Sequence, residues 1–359
     1  MTDSPFLLTP GPVPVPPAVL AIMDTPQQHH RSKRFVETYG EVLRKLRLVF
    51  RTEHDVLLFT ASGTGAFESV FANTIEAGDR VLCVTAGAFG NRWVSMAEAF
   101  GAEVVKLEGT WGRPPDPRAV AAAMADQSLK LAVVVHSETS TATVTDIQAI
   151  GELSRDRTCL LAIDAVSSLG AIPIETDAWG LDIVVSGTQK GMSTPPGLSF
   201  ASVSPAAWER SRETRTPRFY FDWKRTLAAQ KGGGSPFTPA TATVNALDVA
   251  LDLVLEEGLE AIWERTQAMA GRFRARVLAS GLGLYSPDDP SCSLVTAIVT
   301  PEGVDGDAVR KALADRHGIV VAGGQGTLKG KIWRVGQFGA ITERDLRSGL
   351  DALAIELGR

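Results

Sequence analysis

Two side chains with chemical potential stand at the ends of apolar runs. Leu181-Asp182-Ile183-Val184-Val185 leads into Ser186-Gly187-Thr188-Gln189-Lys190-Gly191, and Leu160-Leu161-Ala162-Ile163 leads into Asp164. Short β-branched runs bounded by glycine read as buried strands. The lysine and the acid therefore fall at or just past the carboxyl ends of strands, where open α/β sheets hold their ligands. A lysine there is either a solvated loop residue, as most lysines are, or a partly desolvated amine able to form a Schiff base. A carboxylate on an adjacent strand is the partner that a pyridinium nitrogen needs. The small residues Ala165-Val166-Ser167-Ser168-Leu169-Gly170 behind Asp164 make a turn that a flat group can approach.

A third candidate is Thr60-Ala61-Ser62-Gly63-Thr64-Gly65, between the apolar run Val56-Leu57-Leu58-Phe59 and a helical stretch at 66–75. A small-residue turn opening a helix leaves unpaired N–H groups at the positive end of the dipole and cradles an anion. It is not a dinucleotide fingerprint, because Glu68 occupies the third glycine position. The stretch from Gly323 to Lys331 is not a phosphate loop either, since five residues separate Gly324 from Gly330 and Ile332 follows Lys331. Phe89, between Gly87 and Gly90 in a loop after the strand run at 80–85, is either a core residue or a stacking platform. The hydroxyl cluster at 137–141 either caps the helix near Asp146 or hydrogen-bonds a ligand; His136 before it reads as a satisfied, half-buried histidine. Arg334, in Ile332-Trp333-Arg334-Val335-Gly336, either points to solvent or offers a bidentate guanidinium to a carboxylate.

The elements that must position these groups alternate between strand and helix as far as the strand at 198–203. That pattern means a mostly parallel sheet of about seven strands with helices on both faces. The first long helix is expected at 35–49, with Phe35, Tyr39, Val42, Leu46 and Val49 on one face. Proline-dense residues 6–17 form an extended arm or a disordered terminus. Residues 210–236 turn polar and irregular, and Lys231-Gly232-Gly233-Gly234-Ser235-Pro236 reads as a flexible linker ahead of a long helix from Thr241. From 258 onward, helices at 259–279, 306–316 and 343–356 and strands at 293–300 and 332–336 make a smaller α+β unit. The expected division is an arm at 1–20, a large domain at 21–257 and a small domain at 258–359.

At 359 residues the chain exceeds what one hydrophobic core usually supports. Its net charge of -5 argues against nucleic acid or an anionic membrane as the main partner. Three cysteines, Cys83, Cys159 and Cys292, without a CxxC pair, indicate neither a disulfide framework nor a zinc site. The adjacent His29 and His30 should point apart and lack a spaced third ligand, so no metal site is expected. No run approaches the roughly 18 apolar residues of a membrane span. The first residues hold no cationic-then-apolar segment, so no signal peptide is expected and the protein should be cytoplasmic.

Ile163-Asp164-Ala165-Val166-Ser167-Ser168-Leu169-Gly170 and Ser186-Gly187-Thr188-Gln189-Lys190-Gly191, followed by Pro195-Pro196-Gly197, together resemble the class V, fold-type I pyridoxal-phosphate aminotransferases. The nearest branch is serine–pyruvate / alanine–glyoxylate aminotransferase, and the likeness covers nearly the whole chain. It implies pyridoxal 5'-phosphate on Lys190, with Asp164 at the ring nitrogen and Ser62, Gly63 and Thr64 on the phosphate. It implies Phe89 on the ring face, where the family often has tryptophan. Thr139 would meet the phenolic oxygen, and Gln189 joins the cofactor contacts. Thr9-Pro10-Gly11-Pro12 resembles an arm that brings Gly11 to the substrate, and Arg334 would hold the substrate carboxylate. Thr238 would reach the phosphate of a neighbouring subunit in a homodimer; Ser235 and Phe237 stand where a hydrogen-bonding tyrosine is usual. The implied reaction moves an amino group from serine or alanine to glyoxylate or pyruvate by a ping-pong mechanism. Pro236-Phe237-Thr238-Pro239 and Leu247-Asp248-Val249-Ala250-Leu251-Asp252-Leu253 also resemble pyridoxamine–pyruvate aminotransferases, so pyridoxamine or 2-aminoethylphosphonate are alternative donors. Cysteine desulfurases share the fold but need a small-domain cysteine, for which only Cys292 is available.

Overall fold

A computed structural model of the chain describes residues 6–286 and 294–359. The apolar runs become seven strands: β1 (Asp55–Phe59), β2 (Arg80–Thr85), β3 (Glu103–Glu108), β4 (Leu129–Val135), β5 (Leu160–Asp164), β6 (Ile183–Gly187) and β7 (Ser199–Val203). They form one sheet in the order β1-β7-β6-β5-β4-β2-β3. Strand β7 runs antiparallel to both neighbours, and every other pairing is parallel. Parallel sheets need cover on both faces, which is why β5, β6 and β7 are buried along their whole length. Alternation along each strand sends Leu58, Leu82 and Val184 into one core and Leu57, Val81 and Val185 into the other. The first core is closed by the helix Lys33–Phe50, the second by Gly63–Thr74 and Ala88–Ala99. The expected α/β architecture is thus present. The open edge of β1 is occupied by one side chain: Leu58 N–H donates to Gln230 Oε1 and Gln230 Nε2 donates to Val56 O, both at 2.9 Å.

A second, antiparallel sheet consists of β8 (Val295–Val299), β9 (Ala322–Gly323) and β10 (Ile332–Gly336), ordered β8-β10-β9. The helices Leu259–Ala279, Gly306–His317 and Glu343–Glu356 accompany it, and Phe273, Ile298, Trp333 and Leu350 share its core. The N-terminal arm belongs to both regions. Its residues Phe6–Leu7 pair in parallel with Ile319–Val320, and Leu8 is buried in this smaller core.

Local structure departs from expectation in four places. The proline-dense arm runs into a helix at Pro17–Met23, because Pro17 falls in the first turn, where its missing N–H costs nothing. Residues 210–236 are not irregular throughout: helices Pro205–Glu213 and Trp223–Lys231 cover about half of the stretch. Their N-caps Ser204 and Asp222 accept from Ala207 N–H and Arg225 N–H, and Trp223 is fully buried. Phe89 is in the first turn of a helix, not in a loop. The rings of His29 and His30 do not point apart but lie 4.7 Å from each other. Cys292 lies outside the described residues, as do the first five; Cys83 and Cys159 are free and buried. Among the described residues no helix is long and apolar enough to cross a membrane, and no three His, Cys, Asp or Glu side chains are grouped to hold a metal ion.

Candidate active site

The carboxyl ends of β1, β2, β4, β5 and β6 converge, because parallel strands all deliver their loops to the same edge. There they enclose a cavity of about 300 Å³ whose lining includes Ser62, Gly63, Thr64, Phe89, Asp164, Gln189 and Lys190, with Gly11 from the arm. Arg92, Trp93, Ser137 and Val166 also line it. Arg92 stacks its guanidinium 4.9 Å over the Phe89 ring and reaches Thr64 Oγ1 at 3.4 Å. Spacing could have flagged Arg92, three residues after Phe89 on one helix face.

Lys190 is only 8% exposed, and its Nζ donates to the carbonyl of Pro10 at 2.6 Å. Burial pulls its pKa down to about 8; Asp164 opposes that, while Arg334 and Arg92 add to it. Asp164 is 5% exposed and accepts from Val166 N–H at 2.9 Å. Burial pushes its pKa up to about 6 against that hydrogen bond, with the Glu138 charge adding to the rise. The arm presses on the lysine: a Cβ on Gly11, whose φ is +121°, would fall 2.3 Å from Lys190 Cδ and 2.7 Å from Nζ.

Three expected residues are not in the cavity lining. Arg334 does not face solvent. It is 6% exposed, donating through Nε to Gly323 O at 2.8 Å and through Nη1 to Thr139 O at 2.9 Å. Burial lowers its pKa to about 10, and the charge of Glu138 resists the fall. Thr139 is buried, and the contact shown is its carbonyl to Arg334. Thr238 is exposed on the chain's own surface, and Tyr220 stacks on its neighbour Phe237 at 4.9 Å. Tyr220 comes from a distant stretch, so spacing gave no hint of it. His136 is buried, not half-buried, its Nδ1 has no partner, and burial lowers its pKa to about 3. The cap near Asp146 is Asp146 itself, accepting from Ala149 N–H.

The family model of the class-V aminotransferases matches residues 17–338. The chain belongs to that family. A class V aminotransferase is a pyridoxal-phosphate enzyme, and this one is 39% identical to the soluble hydrogenase 42 kDa subunit of Anabaena cylindrica, over 100% of this chain and 95% of the relative. It is 34% identical to a serine–glyoxylate aminotransferase of Methylorubrum extorquens, over 98% of this chain and 90% of that one. The crystal structure of an alanine–glyoxylate aminotransferase from Nostoc superposes with a TM-score of 0.94 at 34% identity, covering 99% of this chain and 95% of the other. Cysteine desulfurases, at 14–16% identity, share the fold alone.

The aminotransferase's own geometry suits pyridoxal phosphate. The cavity joins an amine, an acid, an aromatic face and a helix N-terminus whose N-cap Ser62 makes no side-chain cap bond. Gln189 Oε1 in its wall is buried without a partner, a group awaiting a donor.

Proposed function

We propose that the protein transfers the amino group of a small amino acid, serine or alanine, to a small 2-oxo acid, glyoxylate or pyruvate, by a ping-pong mechanism. The observation that carries this reading is a buried amine whose pKa burial lowers to about 8, Lys190, sharing one cavity with the buried acid Asp164. The serine–glyoxylate and alanine–glyoxylate names of the relatives supply the substrate class.

Pyridoxal phosphate, when bound, supplies an aldehyde for a lysine and a ring that draws electrons from the substrate Cα. Lys190 Nζ is assigned the covalent attachment and, once free, the proton on Cα. Asp164 holds a proton on the ring nitrogen. Phe89 would offer its face to the ring, and Ser62, Gly63 and Thr64 would hold the phosphate with backbone N–H groups. Thr139 would meet the phenolic oxygen, and Gln189, with its unpartnered Oε1, would join the cofactor contacts. Arg334 takes the substrate carboxylate and Gly11 keeps the arm close enough to shield the amine from water. The lysine's pairing with Pro10 O must break for any of this, which a neutral acceptor permits more readily than a carboxylate would.

Residues 1–20 act as an arm, 21–257 as the large domain and 258–359 as the small one. The chain works as a homodimer in the cytoplasm, with Thr238 given to the partner's phosphate. What supports the dimer is that Thr238 is exposed and that Phe219 and Tyr220 are 65% and 42% exposed beside Phe237. Free buried Cys83 and Cys159 fit a reducing compartment. Pyridoxamine as donor is the second reading, favoured by a pyridoxamine–pyruvate aminotransferase from Mesorhizobium loti at TM-score 0.93 and 31% identity. A spectral titration of the purified holoenzyme decides: serine or alanine should convert the visible band, and glyoxylate or pyruvate should restore it. Conversion by pyridoxamine alone would move the assignment to the second reading, and intersecting initial-velocity lines would refute the ping-pong route.

A further inference from the structure

The ring platform assigned to Phe89 and the carboxylate clamp assigned to Arg334 come from different regions, the helix Ala88–Ala99 beside the large sheet and strand β10 of the small one. One short segment, 138–140, touches both. Glu138 Oε2 accepts from Phe89 N–H at 3.1 Å and Gly90 N–H at 2.9 Å. Its Oε1 accepts from Ser140 N–H at 3.2 Å and from the Ser140 hydroxyl. Ser140 Oγ in turn accepts from Ala88 N–H at 2.8 Å. The next carbonyl, that of Thr139, accepts from Arg334 Nη1 at 2.9 Å.

Glu138 is 1% exposed. Burying a carboxylate is costly unless its oxygens are fully bonded. Four donors converge on them here. The approach is tight enough to demand glycine at the helix start: a Cβ on Gly87 would fall 2.4 Å from Ser140 Oγ and 2.5 Å from Glu138 Cδ. Phe89 and Gly90 belong to the helix's first turn, whose N–H groups have no intrahelical acceptor. The carboxylate supplies that acceptor, complements the dipole and so fixes the angle at which the helix presents Phe89.

We propose that Glu138, through Ser140 and Thr139, is a positioning residue that couples the ring platform at Phe89 to the carboxylate clamp at Arg334. This rests on the functional reading above. A residue so placed sets the orientation of two groups at once, so its loss should disturb ring and carboxylate together. An amide at 138 could still accept from Phe89 and Gly90, but its NH₂ would face the two Ser140 donors.

The test is Glu138→Gln in the full chain, saturated with pyridoxal phosphate, beside the wild type. We expect KM for alanine and glyoxylate, and the inhibition constant of propionate as a carboxylate lacking an amine, each to rise about tenfold. The visible circular dichroism of the bound cofactor should weaken in the same variant. A lowered melting temperature with these constants and the dichroism unchanged would make Glu138 merely structural and overturn the proposal. Ser140→Ala, which deletes one donor and one acceptor, covers the case that Glu138→Gln does not fold: both readouts should move the same way by less, and no movement in either overturns the proposal. A wild type with no visible band would overturn the functional reading and this inference together; a wild-type band with unchanged variants overturns this inference alone.

Discussion

Among the described residues two lysines are buried, Lys45 and Lys190, and their surroundings differ. Lys45, on the helix Lys33–Phe50, meets Asp248 at 2.7 Å and Asp252 at 2.6 Å from the helix Thr241–Glu257. Burial pulls its pKa down, but hydrogen bonds to those two carboxylates outweigh burial and leave it raised. Lys190 is almost as little exposed, at 8% against 6%, yet the hydrogen bond shown for its Nζ goes to a neutral carbonyl, and two guanidinium groups add to the effect of burial. Burial alone therefore does not lower a lysine's pKa; burial with the negative charge held at a distance does.

Exchanging each lysine breaks the comparison most sharply. Lys190→Ala should lower turnover by roughly 10²–10⁴-fold or more, the loss expected when a group moving protons is removed. Lys45→Met should leave kcat/KM unchanged and cost about 1.5–3 kcal/mol in a denaturant titration, the range for hydrogen bonds to charged groups. If Lys45→Met were the inactive variant, the assignment would be reversed. Asp164→Asn tests the partner acid: kcat should fall about 10²-fold, as when a preorganised electrostatic stabiliser is lost, with KM little changed. Arg334→Ala should raise KM for both substrates about 10- to 100-fold, and Arg334→Lys should recover little because the planar fork is lost.

A smaller effect sharpens the electrostatic half. An amine attacks only without its proton. With a pKa of about 8, the rate of pyridoxal-phosphate uptake by the cofactor-free protein should rise about tenfold for each pH unit below 8 and level off above it. A lysine resembling Lys45 would keep accelerating past pH 10. Stopped-flow absorbance between pH 6.5 and 10 separates the two profiles.

The lysine and the acid were legible because each closes an apolar strand run, and a strand end in a parallel sheet is a strong positional signal. Glu138 was not, since an acid inside a hydroxyl-rich run reads as solvated until burial is known. Arg334 stayed ambiguous for a related reason: alternation assigns a face, but all of β10 is buried on both. The helix at Pro205–Glu213 was missed although Ser204-Pro205 is a recognisable start, because its polar composition masked the amphipathic pattern. Thr238 depends on what lies across a subunit boundary, which no local pattern encodes.

Reduction of the holoenzyme with borohydride, followed by peptide mapping, addresses the reactive amine directly. We expect the vitamin to be fixed on the peptide carrying Lys190 and absent from that carrying Lys45. A label on any other lysine, or full labelling of Lys190→Ala, would show that the buried, carbonyl-held amine is not the reactive one.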